Sequence, residues 1–505
     1  MAVSVNETEA KYEAEQDTVL PALDDVPQVA STVSAAEQLL VAVYYDTPDL
    51  RLLRAGITLR RRTGGEDAGW HLKLPVSGRT REEIRLPLDA ARQRVPRELA
   101  DLVRARSRGA ALVPVATVST RRQTVNLLDT GGRVLAEVAD DRVSAQRQQD
   151  PSSADSWREV EVELAAGDAD LLMAVDEVMR RHGLNVSARS AKLERVLSGQ
   201  LPTPARPPRL TAAAPAHQVL ISYLTAQAEE LAALDPLVRR FSPDSVHRMR
   251  IATRRLRSTL RTFSAVISVA DTEHVAAELK WLGDVLGRAR DTEVLAAHLH
   301  GQQELTDVAQ LLGPVAARID SHFAAAGAAA RTAVLRALKS QRYLALLTDL
   351  DALIADPPLG PAGDAAAGPA LAAAVARSYR TTRRRMRRAL AALPGPDRDA
   401  AFHQARKAAK RARYAAEAAT AVAGHDARRL AAQMKKLQSV LGDHQDTVIA
   451  RQLERRLGVS AHLAGENAFS YGLFYERDAC DARLLQDLAA VTWRQASRRR
   501  YRNWL

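Results

Sequence analysis

Two hydrophobic rhythms divide the chain. In the first two hundred residues, apolar and polar positions alternate in short runs, at 5–12, 56–62, 70–74, 82–88, 115–128, 134–143 and 157–164. Alternation with period two, punctuated by Gly and Pro, predicts half-buried strands. From residue 216 onward, long Ala/Leu/Arg-rich segments carry few β-branched residues and space their apolar positions as a helix does. Between the two lies LPTPARPPRLTAAAP at 201–215, with five prolines in fifteen residues, which reads as an interdomain linker. The expected organisation is a strand-rich domain at 1–200, a linker at 201–215 and a helical domain at 216–505. A second Pro/Gly-rich stretch at 356–369 splits the helical half in two.

That half also repeats itself. His247-Arg-Met-Arg-Ile-Ala-Thr-Arg-Arg-Leu-Arg257 returns 156 residues later as His403-Gln-Ala-Arg-Lys-Ala-Ala-Lys-Arg-Ala-Arg413. Leu279-Lys280-Trp-Leu282, Val285-Leu286-Gly287 and Asp291-Thr292 return 155 residues later as Met434-Lys435-Lys-Leu437, Val440-Leu441-Gly442 and Asp446-Thr447. A period that long marks a duplicated subdomain, not a solenoid.

Charge sharpens the division. Residues 1–200 carry 27 basic and 31 acidic side chains, and the rest of the chain carries 45 and 29, a net of +16. Such an excess on a folded half predicts a polyanionic partner. Aromatic residues are 4% of the chain, too few for the stacking platforms of single-stranded nucleic-acid sites, so no specific nucleic acid is expected. The single cysteine, Cys480, excludes a disulfide scaffold or a cysteine zinc cluster and fits a reducing cytosol. The N-terminus turns acidic where a signal peptide needs a basic and then an apolar stretch. The longest charge-free run, 210–228, contains Pro215, His217, Gln218 and Gln227, a poor membrane span. A cytoplasmic location and no membrane partner are therefore expected.

In the strand half, alternation puts Glu7, Glu9 and Lys11 on one face. Arg60 with Arg62, Lys73, Arg81 with Glu83 and Arg85, and Glu137 with Asp141 fall likewise. Glu159, Glu161 and Glu163 oppose Val160, Val162 and Leu164. Charged faces ordinarily meet water. With apolar faces opposite them in several strands, a closed barrel can instead pack its apolar side outward against helices and turn the charge inward. A charged interior is costly unless opposite charges pair or a multivalent ligand enters. Separate acidic and basic strands suggest that carboxylates hold a divalent cation while Arg and Lys hold phosphates. No GxxxxGK[ST] loop is present, which disfavours a P-loop ATPase.

Five motifs in order carry a resemblance: ExExK at Glu7–Lys11, YYDTPDLRLLRAGITLRRR at 44–62, WHLKLP at 70–75, WREVEVEL at 157–164 and SARSAKLERVL at 187–197. From about residue 5 to 197 the chain resembles the CYTH domain, the triphosphate tunnel metalloenzymes. The resemblance implies an eight-stranded antiparallel tunnel with flanking helices that hydrolyses a triphosphate with Mg²⁺ or Mn²⁺. Carried over by motif, Glu7, Glu9, Glu159 and Glu161 become metal and water ligands. Lys11, Arg60, Arg62, Lys73 and Lys192 become phosphate contacts, with Arg122 as an addition. The catalytic set is then Glu7, Glu9, Lys11, Glu159 and Glu161, while Glu83 and Asp141 line the lumen without an assigned role.

In the helical half, His247, Arg250, Arg254 and Arg257 form one stripe on a helix, and His403, Arg406, Lys410 and Arg413 form its match. A third run, 377–388, holds seven arginines, with Arg384 and Arg387 on its main face. Like charges at i,i+4 cost a few tenths of a kcal/mol per pair, so two matching stripes point to a ligand that repays them. One His and one Asp per copy fall short of a catalytic zinc site, so both histidines read as phosphate donors or cleft packing. VHRMRIATRRLRS, LGRARDTEVL, ARKAAKRARYAAE and LGDHQDTVIA, spanning about 216–504, resemble the CHAD domain. That resemblance implies two antiparallel helical bundles around a basic cleft that binds inorganic polyphosphate, and it adds Lys280 and Lys435 to the anion contacts.

The leading reading is an inorganic triphosphatase fused to a polyphosphate-binding module, a two-domain protein that is α+β and then all-α. A non-catalytic polyphosphate receptor that localises to polyphosphate granules is the alternative. A nucleic-acid binder lacks a reader motif, and an adenylate cyclase lacks an evident adenine pocket.

Overall fold

The computed structural model describes residues 3–89, 94–189, 191–201 and 209–505. The chain divides into two compact units, Met1–Ala205 and Arg206–Leu505. Most of the proline-rich segment, 202–208, lies outside the described residues.

The first unit is built from ten strands: β1 Val3–Ala14, β2 Ser31–Ser34, β3 Gln38–Asp46, β4 Thr58–Thr63, β5 Gly69–Ser77, β6 Thr80–Pro87, β7 Val113–Leu128, β8 Val134–Arg147, β9 Asp150–Leu164 and β10 Asn185–Val186. The antiparallel order β1-β6-β5-β4-β3-β7-β8-β9 closes on itself because β1 changes partner midway. Its Val3–Thr8 half pairs with β6 and its Glu9–Ala14 half with β9. Eight strands thus form a ring with no open edge, and β2 and β10 add to β7 and β1 outside it. Strand β3 escapes the alternation pattern because both its faces are apolar: Leu40, Ala42 and Tyr44 are buried on one, and Val41, Val43 and Tyr45 are half-buried or buried on the other.

Five short helices flank the ring: α1 Arg51–Arg54, α2 Arg97–Leu102, α3 Arg104–Ser107, α4 Ala169–Arg181 and α5 Lys192–Val196. Helix α4 starts where the Asp168 carboxylate accepts the Leu171 N–H at 3.0 Å, and its Leu171, Val175 and Met179 cover the outward Ala10, Tyr12, Val160 and Val162. On another side, the outward Leu59, Trp70, Leu72 and Ile84 pack with Leu52 of α1 and Leu99 of α2.

A third apolar cluster lies inside the ring. Val143 and Ala145 continue the face of Asp141, and Trp157 continues that of Glu159. They pack with Ala116, Val118 and the side chains of Leu193, Val196 and Leu197 at α5. Burying three such side chains favours the seated position by roughly 5–9 kcal/mol before entropy. Helix α5 therefore plugs the tunnel at one end and delivers Lys192 to the charged part of the lumen.

The second unit is helical: α6 Ala216–Arg239, α7 Ser245–Thr262, α8 Val269–Glu304, α9 Val315–Lys339, α10 Gln341–Ala355, α11 Ala367–Ala391, α12 Pro396–Ala418, α13 Thr420–Leu463 and α14 Phe469–Ala496. Residues 356–369 separate the two repeats in sequence but tie them down in space. The Ser268 N–H bonds to Pro358 O at 2.8 Å, Gly360 N–H to Val266 O at 2.9 Å, and Ala216 N–H to Ala365 O at 2.9 Å. The repeats meet where α7 lies against α12: the Arg254 guanidinium donates to the Tyr414 hydroxyl, and Arg255 Nε to Glu417 at 3.0 Å. Among the described residues no helix is long and apolar enough to cross a membrane.

Candidate active tunnel and basic cleft

The inner face of the ring carries its charges as a connected network. Lys11 Nζ lies 2.5 Å from Glu161 and 3.5 Å from Glu9. Arg122 grips both oxygens of Asp141, at 2.8 and 2.6 Å, and reaches Glu161 at 2.7 Å. Lys192 Nζ sits among three carboxylates, 2.9 Å from Asp141 and 2.8 Å from both Glu159 and Glu161. Nearby, Glu7 pairs with Lys73 and, at 2.8 Å, with Arg85. Arg60 reaches the Tyr44 hydroxyl at 3.4 Å and Glu83 at 3.9 Å, and His71 Nδ1 holds Glu83 at 2.9 Å. Arg62 stands apart from these contacts, paired with Asp67.

Burial and charge set the protonation states. Burial alone would push the Glu161 carboxyl up, but Lys11, Lys192 and Arg122 hold it well below the usual range. Lys192 and Arg122 likewise overcome burial at Asp141 and keep it low. Glu7 moves the other way, raised by burial and by Glu83 despite Lys73. Burial and the Glu7 charge push Glu163, which faces Glu9 across the β1–β9 register, up to about 7. Burial, Arg60 and Arg122 bring Arg62 down to about 9.

The donor set fits a hard divalent cation. Asp141, Glu159 and Glu161 offer carboxylate oxygens all within 4.8 Å of one another. The Lys192 ammonium now lies where such an ion would bind, so the residue expected to touch phosphate here stands in for a cation. Glu7 and Glu9 do not join this trio. Asp141, which the motifs left without a role, is its most buried member. The signal for it was the cross-strand ladder, in which Arg122 faces Asp141 and Asp141 faces Glu159. Asp46, inside the 44–62 motif, serves the fold instead, because its carboxylate accepts from the backbone N–H groups of Thr47, Leu52 and Leu53 at 2.6–2.9 Å.

In the helical unit the two stripes converge. The Lys410 ammonium of α12 is pushed down to about 6 by burial and then by Arg254, Arg406 and Arg250, so cations from both repeats crowd one place. Burial and the same crowding lower Arg250 and Arg406 despite their aspartates. Those lie at matching positions: Arg250 is 3.3 Å from Asp291, and Arg406 is 3.9 Å from Asp446. Each arginine also crosses a glycine of the next helix. A Cβ on Gly287 would sit 3.4 Å from the Arg250 guanidinium, and one on Gly442 3.2 Å from that of Arg406. Arg413 is held by Glu417 at 2.7 Å, and Arg257 feels Arg261 and Arg411. Lys280 is exposed and paired with Asp284 at 2.8 Å, and Lys435 is exposed. Arg384 and Arg387 lie exposed on α11, and no hydrogen bond or ion pair among the described residues ties them to either stripe.

Burial and neighbouring cations lower both His247 and His403, which keeps them neutral near pH 7. The carboxylate four residues before His403 is engaged elsewhere: Asp399 pairs with His444 at 3.1 Å and Arg451 at 3.2 Å. Asp244 caps α7 in a left-handed conformation, with φ at 59°, and without a side-chain capping bond.

Comparison with known proteins agrees with this division. A CYTH domain matches residues 6–191 and a CHAD domain matches residues 222–455. An uncharacterized protein of Mycobacterium tuberculosis, Rv2226, is 38% identical over 495 residues, covering 94% of this chain and 93% of the relative. Among solved structures, PptA from Streptomyces chartreusis is similar at 24% identity and a TM-score of 0.45, covering 56% of this chain and 99% of its own. The CHAD domain from the plant Ricinus communis is similar at 25% identity and a TM-score of 0.45, covering 58% and 96%.

Proposed function

The chain belongs to the CYTH and CHAD families, one after the other along its length, and from that premise we propose that it is a metal-dependent inorganic triphosphatase whose helical unit binds inorganic polyphosphate. The CYTH half puts it among the triphosphate tunnel metalloenzymes, whose members are metal-dependent. The observation that carries the catalytic reading is the ring-enclosed trio Asp141, Glu159 and Glu161, of which Lys11, Arg122 and Lys192 hold Glu161, and Lys192 and Arg122 hold Asp141, as carboxylates.

Mg²⁺ or Mn²⁺, held by this trio, would supply neutralising charge on the phosphoryl oxygens. Lys192, with Lys11, Arg60, Lys73 and Arg122, would bind the equatorial oxygens and the leaving diphosphate. Arg62 supplies a further positive charge beside Arg60. Glu7 and Glu163, whose carboxyls burial holds up, are placed to orient water and take its proton. The apolar plug of α5 keeps bulk water from one end of the tunnel.

For the helical unit, the carrying observation is Lys410, whose charge burial and three arginines suppress. A phosphate chain supplies the missing negative charge to both stripes at once. Such binding would bring the protein to polyphosphate granules in the cytoplasm. Phosphate release from a panel of tripolyphosphate, thiamine triphosphate and ATP with Mg²⁺ or Mn²⁺ tests the catalytic half. Tripolyphosphate should be turned over by the intact chain and not by Glu161→Gln. The alternative, a non-catalytic polyphosphate receptor, draws on the fact that Lys192 and Arg122 already neutralise the carboxylates. Near-normal turnover by Glu161→Gln, or none by the intact chain, would decide against the triphosphatase.

A further inference from the structure

The second unit contains a buried acidic cluster that neither the tunnel nor the basic stripes use. His298 on α8, Glu454 on α13 and Asp478 on α14 offer ligand atoms all within 4.8 Å of one another. His298 comes from the first repeat and the other two from the second. We propose that this triad is a divalent-metal site of the zinc class, which staples α8 to α13 and α14.

Three observations carry the inference. The first is Glu454. Its side chain is fully buried, and neither of its carboxylate oxygens meets a hydrogen-bond donor. A buried carboxyl group whose nearest partner is a second carboxylate, the fully buried Asp478, is costly. The second is the surroundings. The chain neighbours of His298 and Glu454, Leu299 and Leu453, belong to one buried apolar cluster with Leu457, Tyr471 and Phe474. The third is the support behind the ligands. Gln302 Nε2 donates to Asp478 Oδ1 at 2.8 Å, and Arg477 in turn donates to Gln302 Oε1 at 3.0 Å. Metal sites orient their ligands through such outer partners.

The chemistry of the donors selects the ion. One imidazole and two carboxylates suit Zn²⁺ and its transition-metal neighbours better than Mg²⁺ or Ca²⁺, which take oxygen alone. Three protein ligands leave a fourth position. His298 Nε2 now lies 2.8 and 3.0 Å from the two Asp478 oxygens. Metal binding needs that nitrogen and the carboxylates free of protons, so occupancy should depend on pH.

The test uses the intact chain, stripped with a chelator and titrated with Co²⁺ or Zn²⁺ alone. Wild type should bind one equivalent of Co²⁺ with visible absorption that disappears in His298→Ala and in Glu454→Gln and survives in Glu161→Gln, which separates it from the tunnel. Glu454→Gln resembles the protonated acid in shape, so its metal-free fold should persist even if His298→Ala unfolds. Zn²⁺ at a hundredfold excess over its dissociation constant should raise the melting midpoint of the helical transition by roughly 5–10 °C in wild type and not in Glu454→Gln. If wild type binds no such equivalent, or if both triad variants keep it, the triad is a carboxyl pair sharing a proton and the site is overturned. Loss of the same equivalent in Glu161→Gln would assign the ion to the tunnel and overturn it equally.

Discussion

The tunnel and the cleft both draw cations partly out of water and solve opposite electrostatic problems. In the tunnel every central cation has a carboxylate within reach: Lys11 has Glu161, Arg122 has Asp141, and Lys192 has three. In the cleft, burial and then the pressure of Arg254, Arg406 and Arg250 bring Lys410 down to about 6. A balanced site is preorganised, and its ligand must enter together with the charge that frees the cations. An unbalanced site is strained, and an anion alone relieves it. On the proposed reading, that difference is why the tunnel would need a metal and the cleft would not.

The largest effect should come from breaking the balance. Glu161→Gln removes the carboxylate shared by Lys11, Arg122 and Lys192, and should lower triphosphate turnover by at least about 10²-fold in excess metal. It also leaves those cations short of a partner, at a cost of up to about 3–5 kcal/mol, which a denaturant melt of the first unit will read. Unchanged turnover and stability would mean that the network is dispensable.

Removing the excess positive charge of the cleft is the matching test on the other side. Reversing Arg250 and Arg254 to Glu should weaken polyphosphate binding by about 10²–10⁴-fold, since each removes a charge-assisted contact of about 1.5–3 kcal/mol. The same reversal at Arg498 and Arg499, outside both stripes, should cost far less. Equal losses at the two places would reduce the cleft to a generic basic surface.

Protons provide a finer test. Lys410 titrates at about 6 in the free protein, and a bound anion must raise that value. Binding then takes up a proton, so affinity should fall as pH rises above 6, by up to about tenfold per unit. Lys410→Met should flatten this dependence. A pH-independent affinity in wild type would show that Lys410 does not face the ligand.

The smallest effect concerns the two glycines. Gly287→Ala and Gly442→Ala should stabilise their helices by about 1 kcal/mol each. The added methyl meets the guanidinium of Arg250 or Arg406 at 3.4 or 3.2 Å, so polyphosphate binding should weaken several-fold while the melting midpoint rises. Tighter binding alongside higher stability would contradict the role given to those arginines.

Much of this was legible in the sequence because strands with one charged and one apolar face announce themselves. Glu7, Glu9, Lys11, Glu159 and Glu161 follow period two, and the ring turns them inward as that pattern requires. Strand β3 was not legible, because a strand apolar on both faces shows no alternation. The plug was also hidden. Leu193 and Val196 read as an ordinary amphipathic turn, and only the closed ring reveals that they fill its interior and carry Lys192 onto the carboxylates. In the helical half the duplication exposed the stripes, but not the depth to which Lys410 sinks. That depth depends on how α7 and α12 pack. Gly287 and Gly442 appeared as motif letters, and the close approach of an arginine gives them a physical reason.

The most direct test of the contrast is a calorimetric titration of the intact chain with long-chain polyphosphate at pH 7, in EDTA and at fixed salt, repeated in two buffers of different ionisation enthalpy and with competing duplex DNA. The cleft should bind without metal, take up close to one proton per site, and prefer polyphosphate strongly over the stiffer and wider duplex. Binding that vanishes in EDTA, or equal affinity for both polymers, would contradict an anion cleft shaped by crowded positive charge.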